Sequence, residues 1–306
     1  MYLQKTQKDS DSAKSFRMRK MQAVLTLAAG TFATGSNQYT VTDLAMTAQI
    51  EKLPYPDGGK CSLTIVGLPL DVMEQLSTLA FRPFYRSRNY VNIFAGDDVT
   101  GMHQVFAGSI ETAGADFNAA PDVKFKIEGK IGFFGRIAAT PQTAIRGQQD
   151  AASFIKGQVE SAGFTFRNEG VSASLSNSVF SGSGIAQAQT ATKQIGAELI
   201  LDDDEAILMP TGGTRSGETV SLNRATGLLG YPTISQSGIE IKTIFNPLLK
   251  FAGCVQLETD VPKASGTWRI TKLSHKIAAN HPSDGSWESH ITGFYPHMSG
   301  AAGRYI

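Results

Sequence analysis

The chain has 306 residues, of which 41% are hydrophobic and 18% are charged, and its formal net charge is +1. This composition excludes a disordered chain, and the balanced charge gives no sign of a nucleic-acid or membrane partner. No apolar run approaches the ~18 residues of a membrane span. The two cysteines, Cys61 and Cys254, make no disulfide framework, and each is expected to be a small buried hydrophobic residue.

The N-terminal segment has two features. Met1–Ser15 is polar and is predicted to be an arm that needs a partner to become ordered, with a disordered tail as the alternative. Lys14–Gly35 imitates a signal peptide, because basic residues precede a fairly apolar run. Polar residues such as Gln22 and Thr26 interrupt that run, so we reject a signal peptide.

Residues 16–138 alternate apolar and polar side chains, which predicts antiparallel strands with one buried face. Between them, Leu70–Leu79 has helical spacing, and Pro54–Gly59 is a strong turn. The strands are expected at Met21–Leu27, Tyr39–Ile50, Lys60–Gly67, Tyr90–Ala95, His103–Glu111 and Val123–Glu128. We interpret this part as a barrel-like domain.

Residues 139–210 have a different pattern, which predicts a linker and a small α+β module. Ala139–Gln149 has the composition of a linker, and Asp150 is placed to cap a helix over Ala151–Ser161. Ser181 or Ser183 is placed to cap a second helix over Ile185–Ile195. A short strand at Phe164–Arg167 and a hairpin over Ala197–Met209 complete the predicted module.

Residues 211–306 return to strands separated by turns. The alternating runs are Ile239–Phe245, Phe251–Glu258, Trp268–Ile277 and Trp287–Tyr295, with a turn over Asn280–Ser286. This pattern predicts a second small barrel or sandwich. No fixed-period repeat links the two β-rich parts, which argues against a solenoid or propeller. The two parts could still have the same fold without similar sequences.

Two loops could bind ions, but neither has the required spacing. Asp202–Glu205 places four acids in consecutive positions, whereas calcium loops alternate their ligands around a glycine, so we expect a solvated turn. Pro210–Gly217 is glycine-rich but lacks the lysine of a phosphate-binding loop and precedes a strand. We expect a turn there as well.

No catalytic, cofactor-binding or metal-binding residue can be nominated, and we expect the protein not to be an enzyme. The five histidines lack metal-site spacing; they are His103, His275, His281, His290 and His297. His275 and His290 could oppose each other on neighbouring strands. Gly182–Gly184 lacks the nucleophile elbow. Phe81–Tyr90 mixes aromatics with arginine, which favours interface or loop packing over single-stranded nucleic acid.

The order of several short motifs gives the sequence a specific resemblance. In the last third they are Gly227–Thr233, Gly238–Pro247, Gly266–His275, Gly285–Trp287 and Gly293–Pro296. Earlier motifs are Gly30–Phe32 before Tyr39–Val41, then Gly59–Leu68, Asp71–Leu76 and Ser161–Phe164, followed by Gly182 and a helix. In this order the chain resembles the baseplate hub family of contractile-tailed bacteriophages.

The resemblance implies a mainly β fold with two tail-tube-like antiparallel barrels flanking the α+β module. It implies a structural virion protein without cofactors: a homotrimeric hub that joins the six-fold tail tube to the three-fold central spike and forms part of the DNA channel. The implied partners are a tube or tube-initiator protein above and the spike below, with tape measure and baseplate wedge proteins as further candidates. Assembly in the host cytoplasm is expected.

Two other hypotheses stay open. The first is a tail-associated cell-wall hydrolase or glycan-binding module, whose active or binding region would be Asp150–Met209. The second is a tail-tube protein, or a spike from a related injection system, which would differ from a hub in its symmetry.

Overall fold

The structure, a computed structural model, describes residues 18–78, 89–236 and 238–296. The predicted arm Met1–Ser15, nearly all of Phe81–Tyr90 and His297 lie outside these ranges. Within them, no helix has the length and hydrophobicity needed to cross a membrane.

The first β unit comprises residues 19–130 and contains seven strands, one α-helix and a short 3-10 helix (Phe117–Ala119) in the described ranges. The strands and the α-helix are β1 (Arg19–Thr26), β2 (Gln38–Val41), β3 (Ala45–Lys52), β4 (Lys60–Val66), α1 (Leu70–Leu76), β5 (Tyr90–Asp97), β6 (Gly101–Asp116) and β7 (Lys124–Lys130). The alternating pattern is confirmed: Met21, Ala23, Leu25 and Leu27 are all buried. In the segment that imitates a signal peptide, β1 lies between β2 and β5 in the sheet.

The insert, residues 133–210, contains three helices and several short strands. They are α2 (Phe133–Ile137), β8 (Thr143–Ala144), β9 (Gln148–Asp150), α3 (Ala151–Ser161), β10 (Thr165–Asn168), β11 (Ser174–Ser176), β12 (Val179–Phe180), α4 (Gly184–Gln194), β13 (Ala197–Asp202) and β14 (Glu205–Pro210). Both predicted caps are confirmed. The Asp150 carboxylate accepts from the Ser153 amide at 2.7 Å, and the Ser183 hydroxyl accepts from Ala186 at 3.3 Å.

The second β unit comprises residues 220–294. It contains β15 (Val220–Leu222), β16 (Thr233–Ser235), β17 (Gly238–Ile244), β18 (Cys254–Leu257), β19 (Gly266–Ala279) and β20 (Trp287–Phe294). On β20, Trp287, Ser289 and Ile291 are buried, as their alternation with polar residues predicts.

The two β units share one sheet, which is antiparallel except for the parallel pair β15 and β18. Its strand order is β16-β17-β20-β19-β3-β4-β7-β6-β5-β1-β2, and β18 and β15 branch from β19. The link is the pairing of β3 with β19, from Lys52 opposite Leu273 to Met46 opposite Ala279. The predicted mainly β fold with an α+β insert is therefore confirmed, but pairing among the described strands closes neither unit into a separate barrel, since β3 and β19 use their edges to pair with each other.

The cores follow the same arrangement. One core extends through the first β unit and the insert and includes Phe245, Ile277 and Trp287 of the second unit. A second core lies within the second β unit. A third, small core packs Ile207 of the insert against Phe251. Apolar packing thus connects the insert to both β units.

Three predicted elements differ from the structure. The expected strand Tyr39–Ile50 is interrupted between β2 and β3, where Asn280 donates to the carbonyls of Thr42 and Leu44 at 3.1 and 3.3 Å. The run from Phe251 enters its strand only at Cys254, because Ala252 has a φ of 61°, outside the range of a strand. The predicted linker Ala139–Gln149 contains β8 and part of β9, which pair with β12 and β11.

Candidate functional site: a buried ionic junction

The tip of the β13–β14 hairpin is the most unusual polar feature of the fold. Asp202 pairs with Glu205, so the turn between them has two residues. Asp203 in this turn has a φ of 54°, a left-handed conformation that aspartate tolerates better than most residues. Asp202 is 3% exposed and Asp203 is 8% exposed. The prediction of a solvated turn is therefore wrong.

The buried carboxylates are compensated by Lys52, the last residue of β3. Its ammonium Nζ lies 2.6 Å from an oxygen of Asp202 and 2.8 Å from one of Asp203. Lys52 is itself only 3% exposed. Burying charge is costly unless a partner and hydrogen bonds compensate it, and this arrangement supplies both.

The first β unit provides two further contacts through β5 and β6. The second carboxylate oxygen of Asp203 accepts from the Ala107 amide at 3.0 Å. The Tyr90 hydroxyl donates to Asp204 at 2.9 Å. The hairpin tip is thus anchored to three strands of the first β unit: β3, β5 and β6.

The other side of the hairpin tip is bound by Arg215, which lies in the segment that joins the insert to the second β unit. Its guanidinium donates to Asp202 at 2.5 Å and to Glu205 at 2.6 Å. The predicted turn over Pro210–Gly217 is present, and its basic residue binds carboxylates of the same chain. Lys250 lies nearby and donates to the Gln104 carbonyl at 3.4 Å.

These contacts lower the pKa of Asp202 and raise the pKa values of Asp203 and Lys52. Burial alone would raise the pKa of Asp202, but the charges of Lys52 and Arg215 outweigh it and hold that pKa well below the usual value. Burial and the neighbouring Asp202 raise the pKa of Asp203, against the opposing charge of Lys52. Burial would lower the pKa of Lys52, but the two aspartates raise it. Two carboxylates sharing one ammonium group explain this split.

His275 on β19 lies near this cluster of charged side chains. It is 2% exposed, and its Nδ1 lies 2.8 Å from the Ser289 hydroxyl. Burial, and then the charges of Lys52 and Lys250, lower its pKa to about 3, so the ring is neutral at physiological pH. The prediction that His275 and His290 lie opposite each other on neighbouring strands is wrong by one position. His275 pairs with Ser289, and His290 pairs with Ser274.

A second ionic contact ties the insert to the second β unit. Arg269 on β19 is 4% exposed and binds Glu198 on β13 at 2.8 Å. In the segment between the insert and the second β unit, the Ser216 hydroxyl donates to Glu169 of the insert at 2.6 Å. We use the name ionic junction for Lys52, Asp202, Asp203, Glu205 and Arg215 together.

The other candidate residues are dispersed. His103 lies 3.1 Å from the Thr100 carbonyl, and His290 is exposed beside Glu288 at 3.0 Å. Ser183 caps α4. In the described ranges, no group of three or more His, Cys, Asp or Glu residues has the geometry to hold a metal ion. The ionic junction joins the insert to the first β unit and to the segment that leads into the second β unit. Sequence reasoning missed the roles of Lys52 and Arg215, since a single cation at the end of a strand or in a glycine-rich loop does not indicate its partner.

The comparisons with known proteins now identify the family. A family model described as Baseplate hub gp41 matches residues 21–283. The chain belongs to this family. It is a structural protein of the bacteriophage tail baseplate, and its partners are components of the tail assembly.

Two solved structures with a similar fold are tail proteins. A 43 kDa tail protein of prophage MuSo2 from Shewanella oneidensis has a TM-score of 0.60 at 9% identity, over 91% of this chain and 98% of that one. A tail protein of Neisseria meningitidis has a TM-score of 0.58 at 9% identity, over 89% and 96%.

A third structure comes from a secretion system. It is an Escherichia coli component of the type VI secretion system, described as similar to the T4 tail proteins gp27 and gp5. Its TM-score is 0.53 at 11% identity, over 88% of this chain and 76% of that one. At such identities the likeness concerns the fold. Among curated protein sequences, none matches this chain.

Proposed function

We propose that three copies of this hub form a ring that connects the six-fold tail tube to the three-fold central spike. In this ring each chain contributes two tube-like β domains, residues 16–138 and 211–306, around the α+β module of residues 139–210. Three chains then present six similar β units towards the tube and three identical surfaces towards the spike. The ring encloses part of the channel through which DNA passes.

The observation that carries the proposal is the continuity of the two β units. They share one sheet through β3 and β19, and the insert is tied to the first unit by Lys52 and to the second by Arg269. A connector that converts three-fold into six-fold symmetry needs such a fixed relation, because the two β units of one chain must occupy neighbouring positions around the ring.

The ends of the shared sheet fit a closed ring. Among the described strands, the path of pairing ends at β2 on one side and β16 on the other. These two edges differ in sequence, so a contact between neighbouring chains is heterologous, and heterologous contacts form rings when the rotation closes. Both edge strands are short, at four and three residues, which limits uncontrolled edge pairing.

The proposed role is non-enzymatic and is carried out in the virion after assembly in the host cytoplasm. The acids at the tip of the insert support this role, because each lies within hydrogen-bonding or ion-pairing distance of groups in the same chain. A hydrolase would need carboxylates that are free to act on a substrate.

The direct test is reconstitution with the tube and spike proteins of the same phage. We expect the purified hub to form a ternary complex that contains three hub chains, as measured by light scattering after gel filtration. A hub that binds neither protein would contradict the proposal. Release of soluble fragments from purified peptidoglycan by the hub alone would instead assign it a cell-wall hydrolase activity.

A further inference from the structure

A cleft opens where the two β units and the insert meet. Its volume is about 200 Å³, and the residues that form it include Leu53, Tyr55, Arg136, Lys193, Leu199 and Phe251. Tyr55 lies in the turn after β3, Arg136 lies in α2 and Lys193 lies in the last turn of α4. We call it the Tyr55 cleft.

Two cations flank the aromatic ring of the Tyr55 cleft. The guanidinium carbon of Arg136 lies 5.3 Å from the centroid of the Tyr55 ring, and the Lys193 ammonium lies 6.0 Å from it. Among the described residues, neither cation has a carboxylate within 4.0 Å. The acid that lines the cleft, Glu198, is bound by Arg269 at 2.8 Å.

Arg136 has unused hydrogen-bonding capacity. One of its terminal nitrogens donates to the Pro56 carbonyl, but its Nε is buried with no partner among the described residues. Burial lowers the pKa of Arg136, against the opposing influence of Tyr55 and the exposed Asp57. A cation that is partly desolvated without a counter-ion gains from an anion placed beside it.

The remaining walls are mainly apolar. Leu53, Leu199, Leu201 and Phe251 line the cleft beside the two cations. A volume of about 200 Å³ lies below the ~300–1,000 Å³ of pockets that enclose whole small molecules. It fits one or two amino-acid side chains. Since the chain is a baseplate hub, its surfaces meet other tail proteins.

We propose that the Tyr55 cleft receives an acidic side chain and its apolar neighbour from a partner protein of the tail. The carboxylate lies between Arg136 and Lys193, and the apolar side chain packs on Leu53 and Leu199. All three parts of the hub form the cleft, because Tyr55, Lys193 and Phe251 come from the first unit, the insert and the second unit.

The probe for this site is the blocked dipeptide acetyl-Glu-Leu-amide, with acetyl-Gln-Leu-amide as the uncharged control. The full-length protein is titrated while the methyl resonances of Leu53, Leu199 and Leu201 are followed by NMR, with Leu222 in the second core as a remote reference. We expect the glutamate probe to shift the cleft methyls with millimolar affinity, at least ~5-fold more tightly than the glutamine probe.

Matched variants separate the site from general charge attraction. Lys193→Gln should weaken binding of the glutamate probe ~5-fold, because it removes one of the two cations beside the Tyr55 ring that are proposed to bind the carboxylate. Arg136→Gln should weaken it by a similar or larger factor. Lys156→Gln, an exposed lysine on α3 that pairs with Glu160 at 3.8 Å, should leave it unchanged.

Three outcomes would overturn the proposal. Equal binding of the two probes would show that charge plays no part, and an unchanged affinity in Lys193→Gln would show that the anion lies elsewhere. If an oligo-dT strand shifted the same methyl resonances with a higher affinity than the glutamate probe, the cleft would be assigned to single-stranded nucleic acid.

Discussion

Two polar hairpin turns of this protein have opposite surroundings. The turn after β13 carries four consecutive acids, and Asp202 and Asp203 in it are buried. The turn over Asn280–Ser286, between β19 and β20, lies at the surface, and its Asp284 accepts from the Ser286 amide at 2.9 Å. Both would be expected in solvent from their composition alone.

The difference lies in what surrounds each tip. Asp202 and Asp203 meet Lys52 from the first β unit, and Asp202 also meets Arg215 from the following segment. Asp284 bonds within its own turn. Removing a partner should therefore be costly at the first tip, where charge would be left buried and unpaired, and mild at the second, where water replaces the lost contact.

The largest expected effect comes from Lys52→Met. It leaves Asp202 and Asp203 buried without their shared ammonium group, which should lower the free energy of unfolding by about 3–5 kcal/mol. Urea denaturation followed by circular dichroism measures this value.

The matched control is Lys60→Met on the neighbouring strand β4. Lys60 pairs with Glu51 at 3.1 Å, but its side chain is 57% exposed, so the loss should stay below about 1 kcal/mol. Equal effects of the two variants would remove the distinction between the buried tip and an ordinary surface pair.

Arg215→Gln tests the other side of the ionic junction. In this variant Asp202 keeps its contact with Lys52, but Asp202 and Glu205 each lose a charge-assisted hydrogen bond. We therefore expect the free energy of unfolding to fall by about 1.5–3 kcal/mol in the same measurement. Lys126→Gln is the control, since Lys126 binds Glu128 at 2.7 Å and its side chain is 62% exposed. A larger loss in the control than in Arg215→Gln would contradict a stabilising role of Arg215 in the ionic junction.

The neutral His275 predicts a pH dependence. Its pKa falls from 6.5 to about 3 on folding, so below pH 6.5 the unfolded chain takes up a proton that the folded chain does not bind. Stability is therefore lost as pH falls through this window, by about 1.6 kcal/mol between pH 6.5 and pH 5. The groups that influence it are Lys52, Lys250 and Asp202, while the raised pKa of Asp203 acts in the opposite sense.

Comparing variants isolates the histidine from these neighbours. His275→Asn should flatten the fall in unfolding free energy between pH 6.5 and pH 5 relative to the unmodified chain. His290→Asn, at the exposed face of β20, should not change it. A His275→Asn slope equal to that of the unmodified chain would mean that His275 is protonated in the folded protein.

The smallest effect is expected at the surface turn. Asp284→Ala removes the hydrogen bond to the Ser286 amide, with water available to replace it, so we expect a loss of about 0.5–1 kcal/mol. A loss as large as that of Lys52→Met would place Asp284 in a comparable buried network and end the contrast between the two tips.

The sequence predicts the strands and their buried faces well, because alternation at β17, β19 and β20 is a local property. It does not predict that β3 pairs with β19, since a periodic pattern gives a strand its face but not its neighbour. The same limit applies to the ionic junction. Asp202–Glu205 stands out as a run of acids, yet Lys52 lies 150 positions away along the chain, and only the tertiary fold brings them together.

The central claim is that one chain with two fixed β units forms a three-fold hub. An electron-microscopy reconstruction of the purified oligomer, computed without imposed symmetry, tests it most directly. We predict three copies in a ring with six similar β units around a channel. A ring of six copies, or a particle with a single copy, would contradict the claim.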